Sequence, residues 1–362
     1  MTTAAPSAYA SADTEVLRLW GDDSAGTAAA ASQSLWKDNG NANDSREQAK
    51  AVVLSRWDHY GDGLVGGPLA AAKQGPLLLT PPTSLHGQTE AEIKRILAPG
   101  GTVYLLGGTG ALSTGIEDRI RQLGFNPVRL GGPLMWDTNV RIANETTSNP
   151  SFIMVATGLS YYDALSAGAA AGSSGGVVLL SNGTSLPQQA KDYINAHPST
   201  TLYAVGGPAS TALWNGTNRA YYELAGADAT DTAIAVAAGF GDDQHPVRYA
   251  GVATIRSFHD AMSGGALAAS MGGPVLLSGY DSLDWRSWNY LSSKSSSLYW
   301  ADVYGGTGAL SAQVEKDVRA AVGAASLSAK NAPQSFSAQA DNVKAPGSMK
   351  FTPPAGKLVA AR

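Results

Sequence analysis

"VYLLGGTGALS", residues 103–113, is a β-branched and apolar run that breaks into Gly107-Gly108-Thr109-Gly110 and leads into a helical pattern. Such a turn either cradles a phosphate or only lets the chain fold back. Its recurrence decides the fold. "GGTGALS" returns unchanged at 305–311, 198 residues on, and "VGGPAS" stands midway with Gly206-Gly207 in register. A second element keeps the same order: "DGLVGGPLAA" from Asp62, "DALSAGAAAG" from Asp163 and "DAMSGGALAA" from Asp260. Each is followed by an apolar run: "GPLLLT" (75–80), "GVVLLS" (176–181) and "GPVLLS" (273–278). A third element opens each unit, "LRLWGDD" at 17, "VRLGGPL" at 128 and "YELAGAD" at 222. Three elements in one order, three times over, make the chain three homologous modules of about 100 residues.

Within each module strand and helix alternate. An opening strand leads to an Ala-rich helix (27–35, or 232–238), then to a β-branched run such as "AVVLS" (51–55) or "FIMVAT" (152–157). The Asp loop, a small-residue helix and the "LLLT" strand follow. The helix 88–97 leads to the "VYLLGG" strand, and the last helix places Ile116, Ile120 and Leu123 on one face. Thr114 and Glu117 have the spacing of a capping box at its start. This alternation predicts parallel α/β modules with right-handed crossovers and helices on both faces. The module bounds read as 15–124, 125–220 and 221–325, after an N-terminal extension (1–14) and before a flexible Ala/Ser/Pro/Lys-rich tail (326–362).

Composition narrows the function. Of 362 residues, 44% are hydrophobic and 15% charged, which is globular. A net charge of −4 gives no basic face for nucleic acid. The absence of cysteine excludes disulfides, thiolate metal sites and cysteine nucleophiles, and fits a secreted protein. No apolar stretch is long enough for membrane insertion. The first residues lack the apolar core of a signal peptide, so an exported form would be read here as mature with an added Met.

The glycine turn does not fit a nucleotide fingerprint. "GGTGAL" has no third glycine in place, and the middle copy puts Pro208 where a phosphate would want a backbone N–H. It reads as structural, and no cofactor is expected. Gly172-Ser173-Ser174-Gly175-Gly176 formally matches a nucleophile elbow, but Ser174 lies between a helix and the next strand, the wrong order. None of the five histidines has a metal-ligand spacing.

The repeated Asp62, Asp163 and Asp260 are the leading polar signal, each two residues after an aromatic: Tyr60, Tyr161 and Phe258. A carboxylate between strand end and helix start reads first as an N-cap, with ligand contact as the alternative. Three near-identical copies favour architecture or multivalent binding over catalysis. Trp57 and Trp136, near strand ends, serve either as sugar-stacking plates or as filler between modules. Arg18 and Arg129, in the opening strands, can clamp phosphate or carboxylate groups or form salt bridges; the third copy carries Glu223 instead.

"YYDALSAG" (161–168), the following "LL" strand and the twice-present "GGTGALS" resemble the type 2 cell-wall-binding repeat family of Gram-positive surface proteins. The resemblance covers about residues 15–325. It implies three Rossmann-like or toprim-like modules about a pseudo-threefold axis. It also implies non-catalytic, non-covalent anchoring to an anionic secondary polymer of the cell wall. One departure stands out: the Asp-Arg-Tyr group usual after the first glycine is replaced by "DDSAGTA", "PLMWDTN" and "ADATDTA". A surface adhesin or assembly scaffold that binds other surface proteins is the alternative.

Overall fold

A computed structural model describes residues 14–324, 349, 351–352 and 357–361. In chain order, β1 (Arg18–Leu19) and α1 (Ser24–Leu35) precede the first module. That module holds β2 (Ala51–Arg56), α2 (Gly66–Ala72), β3 (Leu77–Thr80), α3 (Gly87–Ile96), β4 (Thr102–Leu106) and α4 (Thr114–Gln122). Next come β5 (Asn126–Leu130) and α5 (Met135–Thr146). The second module holds β6 (Phe152–Thr157), α6 (Tyr162–Ser173), β7 (Val177–Ser181), α7 (Gln188–Ala196), β8 (Thr201–Val205) and α8 (Gly207–Gly216). β9 (Tyr221–Leu224) and α9 (Ala229–Ala237) lead to the third. It comprises β10 (Tyr249–Thr254), α10 (His259–Met271), β11 (Val275–Ser278), α11 (Trp285–Lys294), β12 (Trp300–Tyr304) and α12 (Ala312–Val322); β13 (Lys357–Val359) comes last.

These form three sheets, ordered β3-β2-β4-β5, β7-β6-β8-β9-β13 and β11-β10-β12-β1. Every pairing is parallel except β13 on β9. The central strands are buried along their length and read as continuous apolar runs, as a parallel sheet covered on both faces requires.

The sheets do not follow the repeat boundaries 15–124, 125–220 and 221–325. The opening strand of each repeat pairs into another repeat's sheet: β5 on β4, β9 on β8, and β1 on β12. The helix that follows then covers the next sheet, α5 over β7, α9 over β11 and α1 over β3. Each boundary is thus a hand-over, and the first opening strand closes the ring on the last sheet.

The three small-residue helices α2, α6 and α10 pack against one another at the centre. Their glycines and alanines permit this: a Cβ on Gly172 would lie 2.7 Å from the Ala269 methyl and 3.1 Å from Pro68 Cα. On the axis the rings of Tyr60, Tyr161 and Phe258 form a near-equilateral triangle, with centroids 5.6–5.7 Å apart. Edge contacts of this kind add to burial. The arrangement is pseudo-threefold.

Two local readings are corrected. Thr114 is the first helical residue of α4, and Ser113 is its N-cap without a side-chain cap bond. Glu117 pairs instead with Arg129 and Arg121, so there is no capping box. The 1–13 part of the extension and much of the 326–362 tail lie outside the described residues, but the described tail residues are docked: Phe351 is buried and β13 extends a sheet.

Candidate ligand clefts at the module joints

Each repeated Asp follows the C-terminal end of a central strand, where open α/β sheets place their ligands. None of the three is a side-chain cap. Asp163 and Asp260 sit one residue inside helices whose N-caps are Tyr161 and Phe258, both with α-helical backbone and no side-chain cap bond. Asp62 precedes a short 3-10 turn and also makes no cap bond. For Asp163 and Asp260 the N-cap reading fails because the chain already turns helical two residues before the carboxylate, at the aromatic; Asp62 holds the cap position of its 3-10 turn but its side chain makes no cap bond.

The carboxylates instead face the glycine turns. A Cβ on Gly107 would lie 2.4 Å from Asp62 Oδ2, one on Gly206 2.0 Å from Asp163 Oδ2, and one on Gly305 2.3 Å from Asp260 Oδ2. These glycines hold φ of 99°, 85° and 98°, a region that L side chains avoid. Conformation and crowding both demand glycine there.

Across each joint stands a residue the sequence reading passed over. Thr27, Thr138 and Thr232 occupy one position in the three opening helices. Each accepts a hydrogen bond from an opening-loop glycine, Gly21 N at 3.2 Å, Gly132 N at 3.0 Å and Gly226 N at 3.2 Å. The hydroxyls of Thr232 and Thr27 also bond Asp163 and Asp260. The signal was present: with "DDSAGTA", "MWDTN" and "DATDTA" aligned, Thr is the one polar residue at the same position in all three. Burial pushes the Asp163 carboxyl up to about 6, and raises Asp62 and Asp260 in the same direction.

Arg18 and Arg129 hold the turns. Arg18 donates to Glu315 (2.8 Å), to the Gly305 and Leu310 carbonyls (both 2.9 Å) and to Ser311 O (3.0 Å). Arg129 donates to Glu117 (2.9 Å) and to the Gly107 and Gly108 carbonyls (both 3.1 Å). Their side chains are only 9% and 17% exposed, so the guanidinium forks face the protein's own backbone. Glu223 accepts instead from Ser210.

The aromatics divide. Trp57 lies against His86, with ring centroids 5.4 Å apart, and Trp136 packs over Gly158; both fill joints. Trp20, not singled out in sequence, is 53% exposed beside the third joint. There a cleft of about 670 Å³ opens between Trp20, Thr27, His259, Asp260, Gly306 and Thr307. His259 Nδ1 lies 2.6 Å from Ser257 Oγ, and burial lowers its pKa. Ser174 ends α6 and contacts Ser173, away from any strand-to-helix turn. Among the described residues no group of three His, Cys, Asp or Glu is placed to hold a metal ion.

Comparison with known proteins follows this geometry. Over 324 residues the chain is 26% identical to the N-acetylmuramoyl-L-alanine amidase LytC of Bacillus subtilis (strain 168), covering 85% of this chain and 59% of that protein. It is 29% identical over 161 residues to the amidase enhancer of the same organism, covering 44% of this chain and 21% of that one. Cwp6 and Cwp8 from Clostridium difficile share the fold, both with a TM-score of 0.73 at 22% and 24% identity. They align with 92% and 86% of this chain, which spans 51% and 52% of theirs, about half their length. The family profile "Cell wall binding domain 2 (CWB2)" matches residues 18–117, 129–212 and 223–315, one segment per repeat, and the chain belongs to this cell-wall-binding family.

Proposed function

We propose that the chain binds an anionic glycan of the cell wall, without catalysis, and so holds itself non-covalently at the bacterial surface. The observation that carries this is the joint itself: carboxylate, bare glycine turn and opening-helix residue recur three times at the C-terminal ends of the strands. Linked sites of modest affinity gain from effective concentration, so three weak contacts suffice for stable attachment. With a net charge of −4 the chain offers no long-range pull on a polyanion. Recognition then rests on short-range contact: exposed loop N–H groups and the Trp20 plate on the sugar, with Asp62, Asp163, Asp260, Arg18 and Arg129 shaping the clefts.

A second reading, a protein partner, draws on one joint. Leu134, Leu159 and Tyr162 are 55%, 62% and 39% exposed there, where Trp136 and Met135 pack at Gly158. One experiment separates the two. Purified walls are compared with walls stripped of their accessory polymers, using the wild type and the triple Asp62→Asn, Asp163→Asn, Asp260→Asn chain. Retention on intact walls, loss on stripped walls and marked weakening in the triple variant are expected. Equal retention on both preparations rules out the polymer.

A further inference from the structure

The described tail residues lie at the opposite end of the second module from Asp163. Phe152 and Tyr221 begin β6 and β9, whereas Asp163 follows the far end of β6, about 17 Å away at strand rise. Phe351 is 9% exposed there, with its ring 5.3 Å from Phe152, 5.4 Å from Tyr203 and 5.7 Å from Phe240. Two glycines make room for it and its neighbour. A Cβ on Gly239 would lie 2.5 Å from Phe351 Cζ, and one on Gly272 2.6 Å from Met349 Cγ. The backbone is held as well: Met349 N donates to Ser173 O at 3.1 Å and Thr352 N to Gly239 O at 3.0 Å. Residues at the C-terminal ends of α6, α9 and α10, or just beyond them, therefore share one bound segment.

Beyond Phe351 the segment becomes a strand. β13 runs antiparallel on β9, with Lys357 opposite Glu223, Leu358 opposite Tyr222 and Val359 opposite Tyr221. Val359 packs on the second module's core. The register suits the odd copy among the opening strands. Where the first and second repeats carry Arg18 and Arg129, the third carries Glu223, and the incoming strand sets a lysine against it. Opposite charges across a strand pair favour that register. The aromatic pocket is equally particular, since the positions of Phe152 and Tyr203 are Ala51 and Tyr104 in the first module and Tyr249 and Asp302 in the third.

We propose that the seam between the second and third modules is a peptide-accepting groove. It recognises an extended segment by strand addition, reading an aromatic anchor and, six residues on, a lysine followed by aliphatic residues. Residues 349, 351–352 and 357–361 of this chain are its occupant, and they latch the second module to the third. Backbone pairing supplies affinity in such sites, and side-chain pockets supply selectivity. Because the groove lies away from the clefts, it is filled or vacated without touching them.

The test uses the full-length chain. Amide exchange at Tyr221 and Glu223, whose N–H groups face β13, is measured in the wild type, in Phe351→Ala and in Lys357→Glu, the last altering an exposed residue that leaves the pocket intact. Exchange at these amides should be slow in the wild type and at least tenfold faster in both variants. A labelled synthetic peptide of residues 349–361 should bind Phe351→Ala saturably and leave the wild type, already occupied, unlabelled. A peptide carrying the Lys357→Glu change should bind Phe351→Ala at least tenfold more weakly, and recover on the Phe351→Ala, Glu223→Lys chain. Unchanged exchange in Lys357→Glu, or equal uptake of the peptide by wild type and Phe351→Ala, would overturn the proposal.

Discussion

The glycine turns of the first and third modules differ from that of the second, although all three descend from one repeat. After Gly107 and Gly305 the chain makes an extra loop before α4 and α12, so several carbonyls point inward together. A guanidinium answers them, Arg129 in one case and Arg18 in the other. After Gly206 the chain enters α8 at once, and Ser210 N takes up the Gly206 carbonyl within the helix. No arginine is needed, and the position is free to become Glu223. A side chain at one repeat position follows the hydrogen-bonding needs of the local backbone rather than a shared ligand.

The contrast breaks most sharply at the arginines. Removing a partly buried, multiply bonded charge leaves carbonyls and a carboxylate unpaired, so Arg18→Ala and Arg129→Ala should each cost about 3 kcal/mol. Glu223→Ala should cost about 1 kcal/mol or less, since it loses one hydroxyl contact and an exposed cross-strand charge pairing with Lys357. Urea unfolding of the three variants decides it, and equal losses would show that the second turn also depends on its opening strand.

A smaller effect sharpens the comparison at the carboxylates. His59 and Arg56 stand near Asp62, and His259 near Asp260, whereas burial of Asp163 is offset by the Thr232 hydroxyl alone among the described residues. Its pKa of about 6 lies above the ordinary 3.8. The protonated form therefore contributes stability that is complete below pH 3.8 and is lost as pH rises through about 6. Asn does not ionise yet still accepts from Thr232. Asp163→Asn should gain about 2 kcal/mol at pH 7 and nothing near pH 3.5. Melting curves across that range check it, and a loss at pH 7 would restore an ionic role for the side chain.

The smallest effect concerns the opening helices. Asp23 and Asp228 cap α1 and α9 through their side chains, but the matching residue of α5 is Leu134. There the reverse bond exists, Leu134 N to Asp137 Oδ2 at 3.0 Å. Leu134→Asp should gain about 0.5–1 kcal/mol by differential scanning calorimetry. If Leu134 belongs to a protein-binding patch, the same change weakens that association while stability rises.

The repeat, the alternation of strand and helix and the parallel sheets were all legible in the residues. What escaped is what homology hides. β1, β5 and β9 are equivalent, so no local signal says which sheet each completes. The Asp reading failed because capping depends on the backbone angle at the preceding aromatic, which residue types alone do not disclose. Thr27, Thr138 and Thr232 were readable in alignment but are ordinary helix residues until the opposing carboxylate is seen. Phe351 and Leu358-Val359 are isolated apolar residues in a polar stretch, and only the waiting pocket gives them meaning.

Ring closure by β1 has a consequence for assembly order. As the chain emerges from synthesis, Arg18–Leu19 appears about 280 residues before its partner strand, Trp300–Tyr304. Until then the nearest vacant edge is that of β4, in the first sheet, which properly belongs to β5. Loop-closure entropy favours this wrong docking, because the intervening chain is far shorter than the one that ends at β12. Two features limit the error. At two residues β1 is too short to hold a false partner firmly, and Arg18 finds its carbonyls and Glu315 only on the third sheet. The brevity of this strand is what keeps an early, premature pairing reversible.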